Sequence, residues 1–256
     1  MSANRPENRP ENRPENRTDP SLFVALDLEQ ASEAEGIAES LSGTGVGFKV
    51  GPRLMLREGA KLVRSIARHG PVFIDCKHLD IPSTMEAAVR AAFDAGAQYT
   101  TIHAMSGPLA LAQMARVEAE LQKQRHFRVL TVTVLTSFSS ETLPHGLRGH
   151  DISKLVEGFA LEAVKNEHGG GLKSFVCSPH EASLLRKLIP DAFLVTPGIR
   201  PAGSSKGDQV RIETPAAAAR AGASAMVVGR PILEAKDRRS TALAIAKEFD
   251  EAKKRV

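Results

Sequence analysis

With 256 residues, 42% of them hydrophobic and 25% charged, the chain is long enough to bury a full core without disulfide staples. A formal charge of only +4, no Trp and a single Tyr argue against the basic, aromatic-interleaved surface of a nucleic-acid binder, and suit a small anionic substrate equally well. No apolar run approaches the roughly 20 residues of a membrane span, the N-terminus lacks a signal peptide's apolar stretch, and two cysteines, Cys76 and Cys177, fit a reducing compartment rather than a disulfide framework or a metal site.

The expectation is therefore a cytoplasmic protein with neither a membrane nor a nucleic-acid partner. Its opening segment, MSANRPENRPENRPENRT, repeats RPEN three times and offers almost nothing to bury. Residues 1–20 are expected to form a disordered tail, solvated or used for docking, ahead of one folded domain at 21–256.

From Ser21 onward short β-rich runs alternate with amphipathic stretches. The runs are Leu22–Asp27, Gly47–Gly51, Val72–Lys77, Tyr99–Ala104, Arg128–Leu135, Ser174–Ser178, Phe193–Gly198 and Ala225–Arg230. Each has the length and apolar content of a strand buried on both faces, as in a parallel sheet. Between them, Ala34, Ile37, Ala38 and Leu41 share one helical face behind a possible capping box at Ser32 and Glu35. Leu56, Ala60, Val63 and Ala67 keep a helical period in the next segment. Ser83 and Glu86 repeat the capping signature before the stripe of Met85, Ala88, Val89, Ala92 and Phe93. Eight such alternations predict an α/β fold, a single-domain (β/α)₈ TIM barrel. An open doubly wound sheet is the alternative, but it would want a glycine-rich turn after its first strand, where this chain has ALDLEQ.

Two connections are longer than a minimal barrel needs: Thr136–Gly149 after the fifth run and Ile199–Thr214 after the seventh. Both follow strand C-termini and so lie on the catalytic face of a barrel. Ala202–Gly207, rich in Gly and Ser, is expected to be a lid.

Polar residues in or just past buried strands carry the chemical information. Asp27 ends the first run, Lys49 lies in the second, Asp75 and Lys77 end the third, and Asp80 follows three residues later. Strand alternation points Asp75 and Lys77 the same way and sends Cys76 and His78 to the other face. Charges converging on one barrel mouth must neutralise one another, and an alternating set of Lys49, Asp75, Lys77 and Asp80 could do so. A purely structural ion-pair network is the alternative to a reacting one. His103 reads as a packing or supporting residue near the mouth, His145 and His180 as exposed, and Arg128 as solvated surface.

The sequence DCKHLDI, containing Asp75, Lys77, Asp80 and Ile81, resembles the D-x-K-x-x-D-I motif of orotidine 5′-monophosphate decarboxylases. ALD at Ala25–Asp27, GFKVG around Lys49, VLTS at Val134–Ser137, TPGIR at Thr196–Arg200, DQVR at Asp208–Arg211 and VVGRPI at Val227–Ile232 resemble further family segments, in family order. The resemblance implies decarboxylation of orotidine 5′-monophosphate (OMP) to UMP without cofactor or metal. Lys77 would stabilise the C6 carbanion and return a proton, Asp75 would flank the departing carboxylate, and Lys49 and Asp80 would complete the charge network. Asp27 and Lys49 would contact the ribose hydroxyls. Thr136, Ser139 and the backbone at Pro197 would line the pyrimidine. Arg200, Gln209, Gly229 and Arg230 would close on the phosphate. Asp80, Ile81 and Thr84 would reach into a neighbouring subunit's site, making the chain a homodimer with shared active sites. The motif is also similar to that of magnesium-dependent hexulose-6-phosphate synthases and keto-gulonate-phosphate decarboxylases. Those relatives have a carboxylate where this chain has Lys49, and an ammonium cannot help hold Mg²⁺. A non-catalytic nucleotide-binding barrel is the remaining alternative.

Overall fold

In the computed structural model, which describes residues 19–165, 170–201 and 213–255, each of the eight predicted runs contributes one strand. They are β1 (Leu22–Ala25), β2 (Gly47–Val50), β3 (Val72–His78), β4 (Tyr99–His103), β5 (Arg128–Val132), β6 (Ser174–Val176), β7 (Phe193–Thr196) and β8 (Ala225–Val228). Every neighbouring pair is parallel and β8 returns to β1, so the sheet closes into a barrel with no edge. Most strands stop short of the predicted run because their last residues peel away to build the mouth.

Helices cover the outside: α1 (Ala31–Ser40), α2 (Pro52–Ile66), α3 (Pro82–Asp94), α4 (Gly107–Gln122), α5 (Ile152–Val164), α6 (Pro179–Leu188), α7 (Pro215–Arg220), the single-turn α8 (Arg230–Leu233) and α9 (Arg238–Lys253). None of the described helices is long and apolar enough to cross a membrane. Inward side chains of alternate strand positions fill the barrel: Phe23, Ala25, Phe73, Tyr99, Leu130, Val176, Phe193, Val195, Ala225 and Val227. Phe23 meets Phe73 and Tyr99 edge-on at centroid distances of 5.4 and 4.9 Å. Gly47 makes room for this cluster, since a Cβ there would stand 2.6 Å from the Phe23 ring. The outward positions of the same strands pack against the helices.

The local expectations fared unevenly. Ala34, Ile37, Ala38 and Leu41 are buried, as are Met85, Val89, Ala92 and Phe93. Leu56 is not: it is 88% exposed, and the buried face of α2 is Leu54, Leu62, Val63 and Ile66. Gly59 has φ +57° and ψ −146° within that segment, a conformation open only to glycine, and it resets the helical phase. Neither Ser32 nor Ser83 caps a helix, because α1 and α3 begin before them, with Gln30 and Ile81 at the cap position. Pro82 starts α3 instead, with φ already set for the first turn, and Glu86 is taken by Arg90 at 2.8 Å. A reciprocal capping box is present at Ser178 and Glu181, where the Ser178 N–H donates to Glu181 Oε2 at 3.1 Å.

At the N-terminal end of the strands, Asp19 closes the barrel floor. Its carboxylate accepts from Tyr99 Oη (2.6 Å) and from Arg128 Nε and Nη2 (3.1 and 2.7 Å), with His126 Nε2 at 2.9 Å. Arg128, expected on the solvated surface, is instead half-buried, its guanidinium 4.6 Å from the centroid of the Phe193 ring. Asp19 and Pro20, placed in the tail by composition, are thus packed against the barrel; residues 1–18 lie outside the described residues. Burial opposes ionisation of Asp19, but its hydrogen bonds from His126, Arg128 and Tyr99 prevail and hold the carboxyl well below its ordinary 3.8.

A group with a depressed folded-state pKa contributes stability that is complete above the unfolded value and is lost as pH falls through the folded one. Asp19→Ala should therefore cost about 2 kcal/mol in urea unfolding at neutral pH. The gap from wild type should narrow as the titration is carried below about pH 4.

Candidate active site

Four of the charged residues singled out in the sequence, Asp27, Lys49, Asp75 and Lys77, meet at the C-terminal ends of β1, β2 and β3. Lys49 Nζ lies 3.1 Å from Asp27 Oδ1 and 3.4 Å from Asp75 Oδ2, while Lys77 Nζ lies 2.9 Å from Asp75 Oδ1. The order along the cluster is Asp27, Lys49, Asp75, Lys77, alternating in sign. Side-chain exposure runs 61%, 11%, 12% and 36% in that order, so the inner pair is dry and Lys77 opens to the mouth.

Burial by itself would push the Lys49 ammonium down and the Asp75 carboxyl up. The opposing charges win in both cases. Asp75 and Asp27 hold Lys49 above its ordinary value, and Lys49 and Lys77, with hydrogen bonds from Lys77 and Thr101, hold Asp75 below its own. At neutral pH Lys49 is an ammonium and Asp75 a carboxylate.

The backbone departs from regular strand geometry here. On β3, Ile74 pairs with Thr100 and His78 with Ile102, so Asp75, Cys76 and Lys77 bulge opposite the single residue Thr101. Two extra residues preserve the alternation: Asp75 and Lys77 reach the same charge cluster, Cys76 packs against the outer core, and His78 returns beside outward-facing Ile102. Lys77 itself has φ +49°. Such a left-handed conformation costs an L-residue about 1–2 kcal/mol, and strain of this kind collects at functional positions.

Asp80 does not join the cluster. It is exposed, accepts the N–H of Ile81 at 2.7 Å, and makes no ion pair with a described residue. Ile81 and Thr84, at the start of α3, are exposed beside it. Of the pyrimidine candidates, Thr136 and Ser139 are half-buried in the loop after β5, with the Ser139 N–H donating to Thr142 Oγ1 at 2.8 Å. Pro197 is half-buried just past β7.

The phosphate candidates gather past β7 and β8. Arg200 is buried, and its segment is held by the Arg200 N–H to Glu213 O (2.9 Å) and the Glu213 N–H to Gly198 O (3.2 Å). Gly229 and Arg230 do not end β8 as expected: Gly229 caps α8 and Arg230 is its first residue, half-buried. Gly229 lies against Ala25, with room for a Cβ only at 3.4 Å from the Ala25 Cβ. Gln209 and the Ala202–Gly207 lid lie outside the described residues.

Two residues matter more than the sequence suggested. Thr101 is completely buried and bonded to both Asp75 and Lys77. Its inward position in YTTIH, between Tyr99 and His103, was the available signal. His103 Nδ1 accepts the Met105 N–H at 3.2 Å, and burial together with the Lys77 charge holds its imidazole below the ordinary value, hence neutral at pH 7. His145 and His180 are exposed, as expected.

Among the described residues, no group of three or more His, Cys, Asp and Glu side chains could hold a metal ion. The position between Asp27 and Asp75, where a cation would be attracted, is occupied by the Lys49 ammonium.

A family model described as orotidine 5′-phosphate decarboxylase / HUMPS family matches residues 20–245. The chain is 42% identical over 234 residues to the orotidine 5′-phosphate decarboxylase of Rhodopseudomonas palustris (strain BisB5), covering 90% of this chain and 95% of that one. It is 44% identical over 225 residues to the enzyme of the same name from Anaeromyxobacter sp. (strain K), covering 87% and 95%. The crystal structure of orotidine 5′-phosphate decarboxylase from Lactobacillus acidophilus matches with a TM-score of 0.77 at 32% identity, covering 91% of this chain and 100% of that one.

Because Lys49 neutralises two carboxylates, Lys49→Met should lower the unfolding free energy by about 2–3 kcal/mol. Adding Asp75→Asn should cost less than the sum of the two single changes, as a double-mutant cycle by urea unfolding would read directly.

Proposed function

The chain belongs to the orotidine 5′-phosphate decarboxylase / HUMPS family, and on that premise we propose that it converts OMP to UMP and CO₂, without metal or cofactor, using Lys77 as the proton donor. The observation that carries this reading is Asp75 held between the two ammonium groups of Lys49 and Lys77, with Lys77 turned to the open mouth.

The C6–carboxylate bond breaks, CO₂ leaves, and the electron pair stays on C6. An ammonium at C6 stabilises that pair as it develops, in a site whose charges are already oriented. The proton then passes from Lys77 Nζ to C6, and the neutral amine regains one from solvent, so the reaction consumes one proton for each UMP formed. Asp75 keeps Lys77 aimed and its negative charge disfavours the bound substrate carboxylate relative to the neutral CO₂ that replaces it. Asp27 and Lys49 would take the ribose hydroxyls, and Thr136, Ser139 and the backbone at Pro197 the pyrimidine. Gly229, Arg230, Arg200 and Gln209 would take the phosphate, whose binding energy is available for the chemical step. That activity would serve pyrimidine nucleotide synthesis, which we assign to the cytoplasm.

We read the active form as a homodimer. Leu79, Ile81, Met105 and Leu109 are exposed apolar side chains on the segments that follow β3 and β4, around Asp80. Exposed apolar side chains beside a carboxylate that has no ion-pair partner among the described residues suit a twofold interface, with Asp80, Ile81 and Thr84 entering the neighbour's site.

The ultraviolet absorbance of OMP should fall on addition of the wild-type chain, unaffected by EDTA, and Lys77→Ala should lose about 10⁴-fold or more in kcat. Chelator-sensitive turnover, or a well-folded wild type inert towards OMP, would send the assignment to the sugar-phosphate branch of the family or to a binding role. Shared sites make a separate demand. Mixing inactive Lys77→Ala and Asp80→Ala chains under exchange should restore about a quarter of wild-type activity, because half the dimers are hybrids with one intact site each.

A further inference from the structure

The bulge of β3 poses a hydrogen-bonding problem that one side chain solves. Thr101 Oγ1 accepts the N–H of Lys77 at 2.8 Å, which directs the hydroxyl proton outward, to Asp75 Oδ1 at 3.1 Å. The same Oδ1 receives Lys77 Nζ at 2.9 Å. One fully buried hydroxyl thus ties the backbone of the strained residue to the carboxylate that its own side chain binds. Its neighbour Thr100 shows that burial alone does not create such bonds. Thr100 Oγ1, equally buried on the outer face, finds no partner among the described residues.

Resting on the assignment of Lys77 as proton donor, we propose that Thr101 is a positioning residue, whose hydroxyl sets the β3 bulge so that Lys77 and Asp75 meet at one point of the mouth. It touches no substrate; it acts on the reaction through Lys77 geometry and through the ionisation of Asp75. Two consequences separate this role from packing. Removing the hydroxyl slows the chemical step while leaving substrate binding nearly unchanged. It also takes a hydrogen bond from the Asp75 carboxylate, which makes that group harder to ionise.

The experiment is steady-state OMP decarboxylation by full-length Thr101→Val and Thr101→Ser between about pH 3 and pH 9, with folding checked at each pH by circular dichroism and by melting. Val keeps the bulk and loses both hydrogen bonds. The expected result is a fall in kcat of about ten- to a hundredfold with KM within about threefold. The acid limb of the rate profile should also move to higher pH, and Ser should recover most of the loss. Should Thr101→Val fail to fold, Thr101→Cys takes its place, since a thiol keeps the bulk but bonds only weakly. A kcat within about twofold of wild type, a loss confined to KM, an unmoved acid limb, or a Ser variant no better than Val overturns the proposal. An inert wild type overturns the function itself, whereas an active wild type with an unaffected Thr101→Val overturns the positioning role alone.

Discussion

Asp75 is wedged between two ammonium groups near the dry end of the barrel mouth, and burial makes each of these charges dependent on the others. In so little water an isolated carboxylate or ammonium would change its protonation state rather than stay charged. The alternating order from Asp27 to Lys77 removes that option for the buried pair, and Lys49 and Asp75 stay ionised and aimed. Such an arrangement favours reactions in which negative charge moves within the substrate, because the field is in place before the substrate arrives. It also limits which member of the family's chemistry this barrel can host. A divalent cation drawn to these carboxylates would first have to displace Lys49.

The fold was written plainly in the sequence because a two-face-buried parallel strand leaves a short, continuous apolar signal. Eight such runs, regularly spaced, admit few architectures. The residues of the charge cluster were legible for the complementary reason: Lys49 and Asp75 interrupt buried strands, where an ionised group demands an explanation. Asp80, read past the end of the third run, lies in the exposed segment before α3, where a carboxylate needs no buried partner. Thr101 was hidden because a threonine in a strand is unremarkable by composition, and its importance comes from a register shift in a different strand. Arg128 and Asp19 were misread for lack of each other. Each looks like a surface charge until the fold brings them together across 109 residues. The Gly59 kink shows the same limit on a smaller scale, since a periodic face assumes that the helix never changes phase.

The two ends of the barrel use their charges differently. At the mouth, Lys77 holds a strained backbone and faces open space. At the floor, Asp19 is satisfied by three side chains, beneath the stacked rings of Tyr99 and Phe193. This division follows from the architecture, in which loops after the strands can vary while the opposite end must hold the cylinder shut.

The Asp19 clamp also fixes where the chain enters the barrel. Because Asp19 is bound to the first residues of β4 and β5, the polypeptide enters β1 from the face opposite the charge cluster. A handle, a fused domain or a solid support joined directly at Asp19 would leave the barrel on the side away from its mouth. Tethered at Asp19 itself, the barrel would present its open mouth to the solution.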